Sequence, residues 1–161
     1  MSQLYQFLAE KISKNKFFAG LEGNQFSILA QLIVDLEFKQ AEEIVGEGDS
    51  DTSLFIIHSG EVGIYKNLDQ THLQLAKAIS GDTIGEITFI DGQKRSATLI
   101  ANTASNIFQI QRKPFFDMAV KYPRLGHVIL EKLANMLCKR LASTSSKLIT
   151  SAVELEKVEN Q

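Results

Sequence analysis

The stretch Glu42–Asn67, EEIVGEGDSDTSLFIIHSGEVGIYKN, decides how this chain folds. It reads as three short strands, around Glu42–Val45, Leu54–His58 and Glu61–Lys66, rich in β-branched and aromatic residues. The turns Gly46-Glu47-Gly48-Asp49 and Ser59-Gly60 separate them. Further along, HLQLAKAI (His72–Ile79) alternates and predicts another strand. TLIA (Thr98–Ala101) and NIFQI (Asn106–Ile110) supply two more, split by a turn over Asn102–Ser105. No proline interrupts residues 36–111, so nothing demotes these runs to edges or loops. Short strands at this spacing predict a β-sandwich or barrel.

Helical patterns flank this zone. In residues 1–35, Leu4, Phe7, Leu8 and Ile12 recur at helical spacing, as do Phe26, Leu29, Leu32 and Ile33. The glycine-bearing connector Phe17–Gln25 lies between them, with Asn24 as the expected cap of the second helix. In residues 112–161, Lys113-Pro114 opens one helix and Pro123 a much longer one. Along the latter, Leu130, Ala134, Leu137, Leu141, Thr144, Leu148, Ser151, Leu155 and Val158 step by four and three. A stripe with this 3.5-residue period is a coiled-coil seam, and about 35 residues reach roughly 50 Å. The first half of the stripe is expected to pack on the chain's own barrel. The second half outruns any single barrel and predicts a partner helix, hence a homodimer. The chain thus divides into a helical element (1–35), a β zone (36–111) and a helical end (112–161).

Composition excludes several classes. With 161 residues the chain is long enough for one well-cored domain. Its one cysteine, Cys138, allows no internal disulfide and suits a reducing cytoplasm. The N-terminal MSQLYQFLAEKISKNK lacks the apolar centre of a secretory signal, and no apolar run is long enough to span a membrane. A net charge of −2 argues against broad nucleic-acid binding. His58, His72 and His127 are the three histidines, with no His-x-His pair, so no metal site is expected. Neither Ser59 nor Cys138 has the context of a nucleophile, and the expectation is a protein that is not an enzyme.

The segment GEITFIDGQKRSA, Gly85–Ala97, carries the chemistry. Gly85 lets the backbone approach a ligand, and Glu86–Ile90 predicts one helical turn with exposed N–H groups at its start. Asp91-Gly92 closes the turn and brings Arg95 and Ser96 to the start of the next strand. Backbone donors, a guanidinium and a carboxylate are the three kinds of group a ribose phosphate requires. The plain alternative is a hairpin turn with a surface arginine.

The motif resembles the phosphate-binding cassette of the cyclic nucleotide-binding domain family, here Ile84–Ala97, IGEITFIDGQKRSA. The upstream run Ala41–Val62, AEEIVGEGDSDTSLFIIHSGEV, resembles a second motif of that family in the right order. The resemblance implies a mainly β fold, a jelly-roll barrel with an N-terminal helical bundle and a long C-terminal helix. It implies that Glu86 takes the ribose 2′-hydroxyl and Arg95 the cyclic phosphate. Ser96 adds a hydroxyl, and the Gly85 and Ala97 N–H groups complete the cradle. Ala41 stands where glycine is usual, Ile84 where phenylalanine is, Thr88 where alanine is, and Lys94 where proline often precedes the arginine; none of these removes a ligand-contacting group. Lys139–Leu148, KRLASTSSKL, resembles the last helix of the bacterial catabolite activator protein subfamily. There a Thr-Ser pair contacts adenine, one residue from each subunit, which implies base-binding roles for Thr144 and Ser145. This favours cAMP over cGMP, although Ser96 also suits a guanine amino group. The sequence ends at Gln161 after an acidic stretch, without a helix-turn-helix pattern. The expectation is therefore a stand-alone cyclic nucleotide receptor that relays binding to an effector protein and binds no DNA. The competing expectation is a nucleotide-free barrel that acts through protein contacts.

Overall fold

The computed structural model describes residues 3–68 and 71–159, without the side chains of 152 and 154–159. Two four-stranded antiparallel sheets form its centre. One has the order β1-β8-β3-β6, made of β1 (Ile33–Phe38), β8 (Ser105–Ile110), β3 (Leu54–Ser59) and β6 (Thr83–Ile84). The other has the order β2-β7-β4-β5, made of β2 (Glu43–Val45), β7 (Thr98–Ala101), β4 (Glu61–Leu68) and β5 (Thr71–Ile79). Around them lie α1 (Gln3–Ser13), a 3-10 turn (Lys16–Phe18), α2 (Gly23–Leu29), α3 (Glu86–Asp91), α4 (Arg112–Lys121) and α5 (Pro123–Glu159). The fold is mainly β with flanking helices, as the sequence predicts.

The first sheet is covered on both faces, which explains the unbroken apolar run of β3. Leu54 and Ile56 point to one side, where Phe108, Ile110, Phe18, Phe115, Leu125 and Ile129 form a core beneath the helices. Phe55 and Ile57 point to the other, where Ile84, Ile107, Val45, Val62 and Leu99 fill the space between the sheets. A strand buried on both faces loses the alternation that a half-exposed one shows. The 3-10 turn is pinned to this sheet by the buried Asn15, whose side chain donates to Ile57 O at 2.8 Å and accepts from the Phe17 N–H at 2.9 Å.

The structure amends several sequence expectations. The N-terminal helices end at Leu29, and Ile33 already pairs with Ile110, so the last residues of 1–35 belong to a strand. The cap of α2 is Glu22, not Asn24; the Gln25 side chain accepts from the Glu22 N–H at 2.8 Å. Strand β5 forms where predicted, but its burial does not alternate: Ala78 is its one buried residue, and Leu73 and Leu75 are exposed on an edge strand paired with β4 alone.

Ala41, where the resemblance leads one to expect glycine, sits at φ 65°. A Cβ in this left-handed region costs about 1–2 kcal/mol, partly offset by the lower unfolded-state entropy of alanine. Ala41→Gly should therefore raise stability by about 0.5–1 kcal/mol in urea titration. A loss of stability in that variant would refute the strain.

Helix α5 runs for 37 residues, about 55 Å. The face it lays on the barrel is formed by Leu125, Ile129 and Leu133, all buried, with Met136 partly so. The heptad stripe lies one residue, or about 100°, around from this face. Leu130 is partly buried against the core, but Leu141 and Leu148 stand 68% and 67% exposed. Thr144 and Ser151 are exposed as well, and the side chains of Leu155 and Val158 lie outside the described residues. Among the described residues, no helix is long and apolar enough to cross a membrane.

Candidate functional site

Strand β6 ends at Ile84, and the chain turns into α3 through Gly85 at φ 81°. Glycine is required here on two counts. The backbone angle is unfavourable for any residue with a Cβ, and a Cβ would collide with Arg95 Nη1 and lie 3.0 Å from Ser53 O. The gap left by the missing side chain is where the guanidinium lies. Glu86, the first residue of α3, is buried, as is Thr88. Ser96 is exposed and Ala97 half-buried just beyond the arginine.

Arg95 is 4% exposed and held from several sides. Its backbone pairs with the loop before β3: the Gly48 N–H donates to Arg95 O and the Arg95 N–H to Asp49 O, both at 2.9 Å. Its Nη2 donates to Asp51 Oδ1 and, at 2.5 Å, to Ser53 O. The guanidinium carbon lies 5.0 Å from the centre of the Phe55 ring. Asp51 is ordered in turn, accepting from the Ser53 N–H at 3.1 Å and the Ser53 hydroxyl at 2.9 Å. Burial pushes the Asp51 carboxyl up, but hydrogen bonds from Arg95 and Ser53 and the guanidinium charge outweigh it and hold it below the usual value. Arg95 thus meets a carboxylate that is ionised at neutral pH, yet Nε and Nη1 find no partner among the described residues. Three of the five guanidinium N–H donors are left open.

The second charged pair joins the cassette to the long helix. Arg140 of α5 donates through Nη1 to Glu86 Oε1 and through Nη2, at 2.5 Å, to Thr83 O. The other carboxylate oxygen, Glu86 Oε2, is buried without a partner among the described residues. Glu86, Arg95, Ser96 and Arg140 open onto one recess, with Gly85 and Ala97 on its wall and Ile64 and Leu99 as apolar lining.

Five of the seven site residues expected from the sequence therefore converge: Gly85, Glu86, Arg95, Ser96 and Ala97. Thr144 and Ser145 do not line the recess of their own chain; both are exposed, and Thr144 lies one helical turn past Arg140. Sequence reasoning assigned no role to Asp51 or Arg140. Asp51 stands in the upstream motif and Arg140 four residues before Thr144, but nothing local in the sequence pairs them with Arg95 and Glu86. Among the described residues, no group of three or more His, Cys, Asp or Glu side chains is placed to hold a metal ion.

Comparison with known proteins agrees with this geometry. Residues 35–122 match the model of the cyclic nucleotide-binding domain, and the chain belongs to that family. It is 27% identical over 135 residues to a cAMP-dependent protein kinase regulatory subunit of Dictyostelium discoideum, covering 80% of this chain and 41% of the relative. It is 30% identical over 117 residues to a cGMP-dependent protein kinase of Toxoplasma gondii, covering 73% of this chain and 11% of the relative. The chain thus spans well under half of either protein. Among solved structures, a cyclic nucleotide-binding domain from Methylobacillus flagellatus superposes with a TM-score of 0.77 at 24% identity, covering 91% of this chain and 83% of that one.

Proposed function

We propose that this chain is a cyclic nucleotide sensor, which binds cAMP or cGMP in the recess and passes the signal along α5. One observation carries the reading: a buried cation and a buried carboxylate border the same recess, each with polar atoms that have no partner among the described residues. Leaving such groups unsatisfied costs about 1–3 kcal/mol each, and a ligand that satisfies both recovers that cost. A cyclic phosphate suits the open Nε and Nη1 donors of Arg95, with the Ser96 hydroxyl and the Gly85 and Ala97 N–H groups around it. A ribose 2′-hydroxyl suits Glu86 Oε2, and Oε1 stays on Arg140. One relative is a cAMP-dependent protein kinase regulatory subunit and the other a cGMP-dependent protein kinase, and the proposal covers both nucleotides.

The Glu86–Arg140 pair supplies the relay. A ligand that competes for Glu86, or strengthens its hold on Arg140, changes how firmly α5 docks on the cassette. The exposed Leu141 and Leu148 support dimerisation through the same helix, which would bring the Thr144–Ser145 pair, one residue from each subunit, to the base. Function by binding rather than catalysis, in the cytoplasm, with an effector protein as the recipient of the signal, completes the proposal.

Thermal unfolding with each nucleotide tests it. A ligand at a hundred times its dissociation constant adds about 2.7 kcal/mol, a rise in Tm of several degrees. Light scattering on the same samples reads the dimer. If neither cAMP nor cGMP at millimolar concentration moves the Tm, the sensor reading is refuted and the interaction-module alternative stands.

A further inference from the structure

The donor expected at the far end of the cradle, the Ala97 N–H, lies on a peptide that packing does not fix. Ser96 is exposed, and pairing of β7 with β4 begins only at Tyr65–Thr98. No hydrogen bond from the Ala97 N–H to a described residue is found. The carbonyl of that same peptide is held, however. Lys66 of β4 donates through Nζ to Ser96 O at 3.0 Å. Lys66 is itself paired with Glu47. Glu47 is tied down twice more: its Oε2 accepts from the Asn67 N–H at 3.1 Å, and its own N–H donates to the hydroxyl of buried Thr98 at 3.0 Å.

Peptide geometry turns this clamp into an aiming device. No cis peptide bond occurs among the described residues, and in a trans peptide the C=O and N–H point in opposite directions. We propose that Lys66, anchored on Glu47, is a positioning residue for the anion cradle: by holding the Ser96 carbonyl outward it aims the Ala97 N–H into the recess. A cation on the carbonyl also polarises the amide and makes its N–H a stronger donor. The inference rests on the cyclic nucleotide reading and extends it to two side chains that the cassette does not contain. The rival account is that Lys66 attracts the phosphate by charge alone, with no role for the Ser96 peptide.

Calorimetry of the full chain with cAMP and with cGMP separates these. Wild type, Lys66→Met, Lys66→Arg, Glu47→Gln and Arg95→Ala are compared, with the Ala97 amide resonance followed in each. Positioning predicts that Lys66→Met binds about tenfold more weakly, and that Lys66→Arg, which keeps a donor on the carbonyl, stays within about threefold of wild type. The downfield shift of the Ala97 amide on ligand addition shrinks in Lys66→Met. Glu47→Gln decides by its sign. It removes a negative charge near an anion site, so attraction by charge alone predicts tighter binding. Loss of the anchor predicts weaker binding, by about threefold. Because Lys66 is 39% exposed at its side chain, its variants are expected to fold, and Glu47→Gln reads the same clamp from the other end. Equal affinity of Lys66→Met and wild type, beside a crippled Arg95→Ala, overturns the role of Lys66 and leaves the sensor intact. Tighter binding by Glu47→Gln overturns it too. If wild type itself binds neither nucleotide, the sensor reading falls and the positioning role with it.

Discussion

Arg95→Ala should weaken cyclic nucleotide binding by about 2–5 kcal/mol, from roughly 30-fold to several thousand-fold, in a protein that remains folded. Two effects combine in the loss. The variant removes the open Nε and Nη1 donors, and it leaves the Asp51 carboxylate facing an anionic ligand with no cation between them. The second effect can be isolated: adding Asp51→Asn to Arg95→Ala should recover part of the affinity, because it removes the repulsion without restoring a donor. The fold survives because Asp51 is 35% exposed at its side chain and can rehydrate, and because Gly85 keeps its backbone geometry when the guanidinium beside it is gone. Circular dichroism and Tm of the unliganded variant check that point, and calorimetry checks the affinity. Equal binding by wild type and Arg95→Ala would refute the cradle assignment.

What could be read in advance follows from how local each feature is. The cassette from Gly85 to Ala97 is one continuous stretch, whose turn glycine, carboxylate and guanidinium are fixed by neighbours close in sequence. Its geometry was therefore legible. The partners that complete it were not, because Asp51 meets Arg95 across 44 residues and Arg140 meets Glu86 across 54. Only the fold brings these groups together, and no periodicity records such a pairing. The same reason hid β6, whose two residues are too short for any pattern and exist as a strand only through pairing with Phe55 and Ile56. Strand β1 was missed for a different reason. Leu29, Leu32 and Ile33 continue a helical period, and Ile33 is buried in the same core as Leu29, so its burial matches a helix although its backbone already pairs with Ile110. On α5 the heptad was legible and the barrel-facing stripe beside it was not, since both are apolar and lie only about 100° apart. Burial, not period, distinguishes Ile129 and Leu133 from Leu141 and Leu148.

Phe89→Ala should cost about 3–5 kcal/mol of stability, more than any other single change considered. Phe89 is fully buried on α3, and its ring lies 5.1 Å from that of Phe115 and 5.8 Å from that of Phe116, both on α4. Polar contacts reinforce the junction: Arg112 donates through Nε to Phe89 O at 2.9 Å, and its guanidinium lies over the Phe116 ring. The cassette helix is only six residues long and cannot hold its shape alone, so this aromatic cluster fixes it against the C-terminal helices. Truncation leaves a cavity that two neighbouring rings are too rigid to fill. Small domains are stable by about 5–15 kcal/mol, so the variant should be folded but marginal, with its urea midpoint lowered and its m-value unchanged. Phe89→Leu keeps most of the volume and should lose less than about 1.5 kcal/mol. Phe89 does not line the recess, so Phe89→Leu should bind nucleotide within a few-fold of wild type while α3 transmits less to α4. A loss below about 1 kcal/mol in Phe89→Ala would mean that α3 is held by Glu86 and Arg140 rather than by the ring cluster, and the mechanical route into α5 would then run through that ion pair alone.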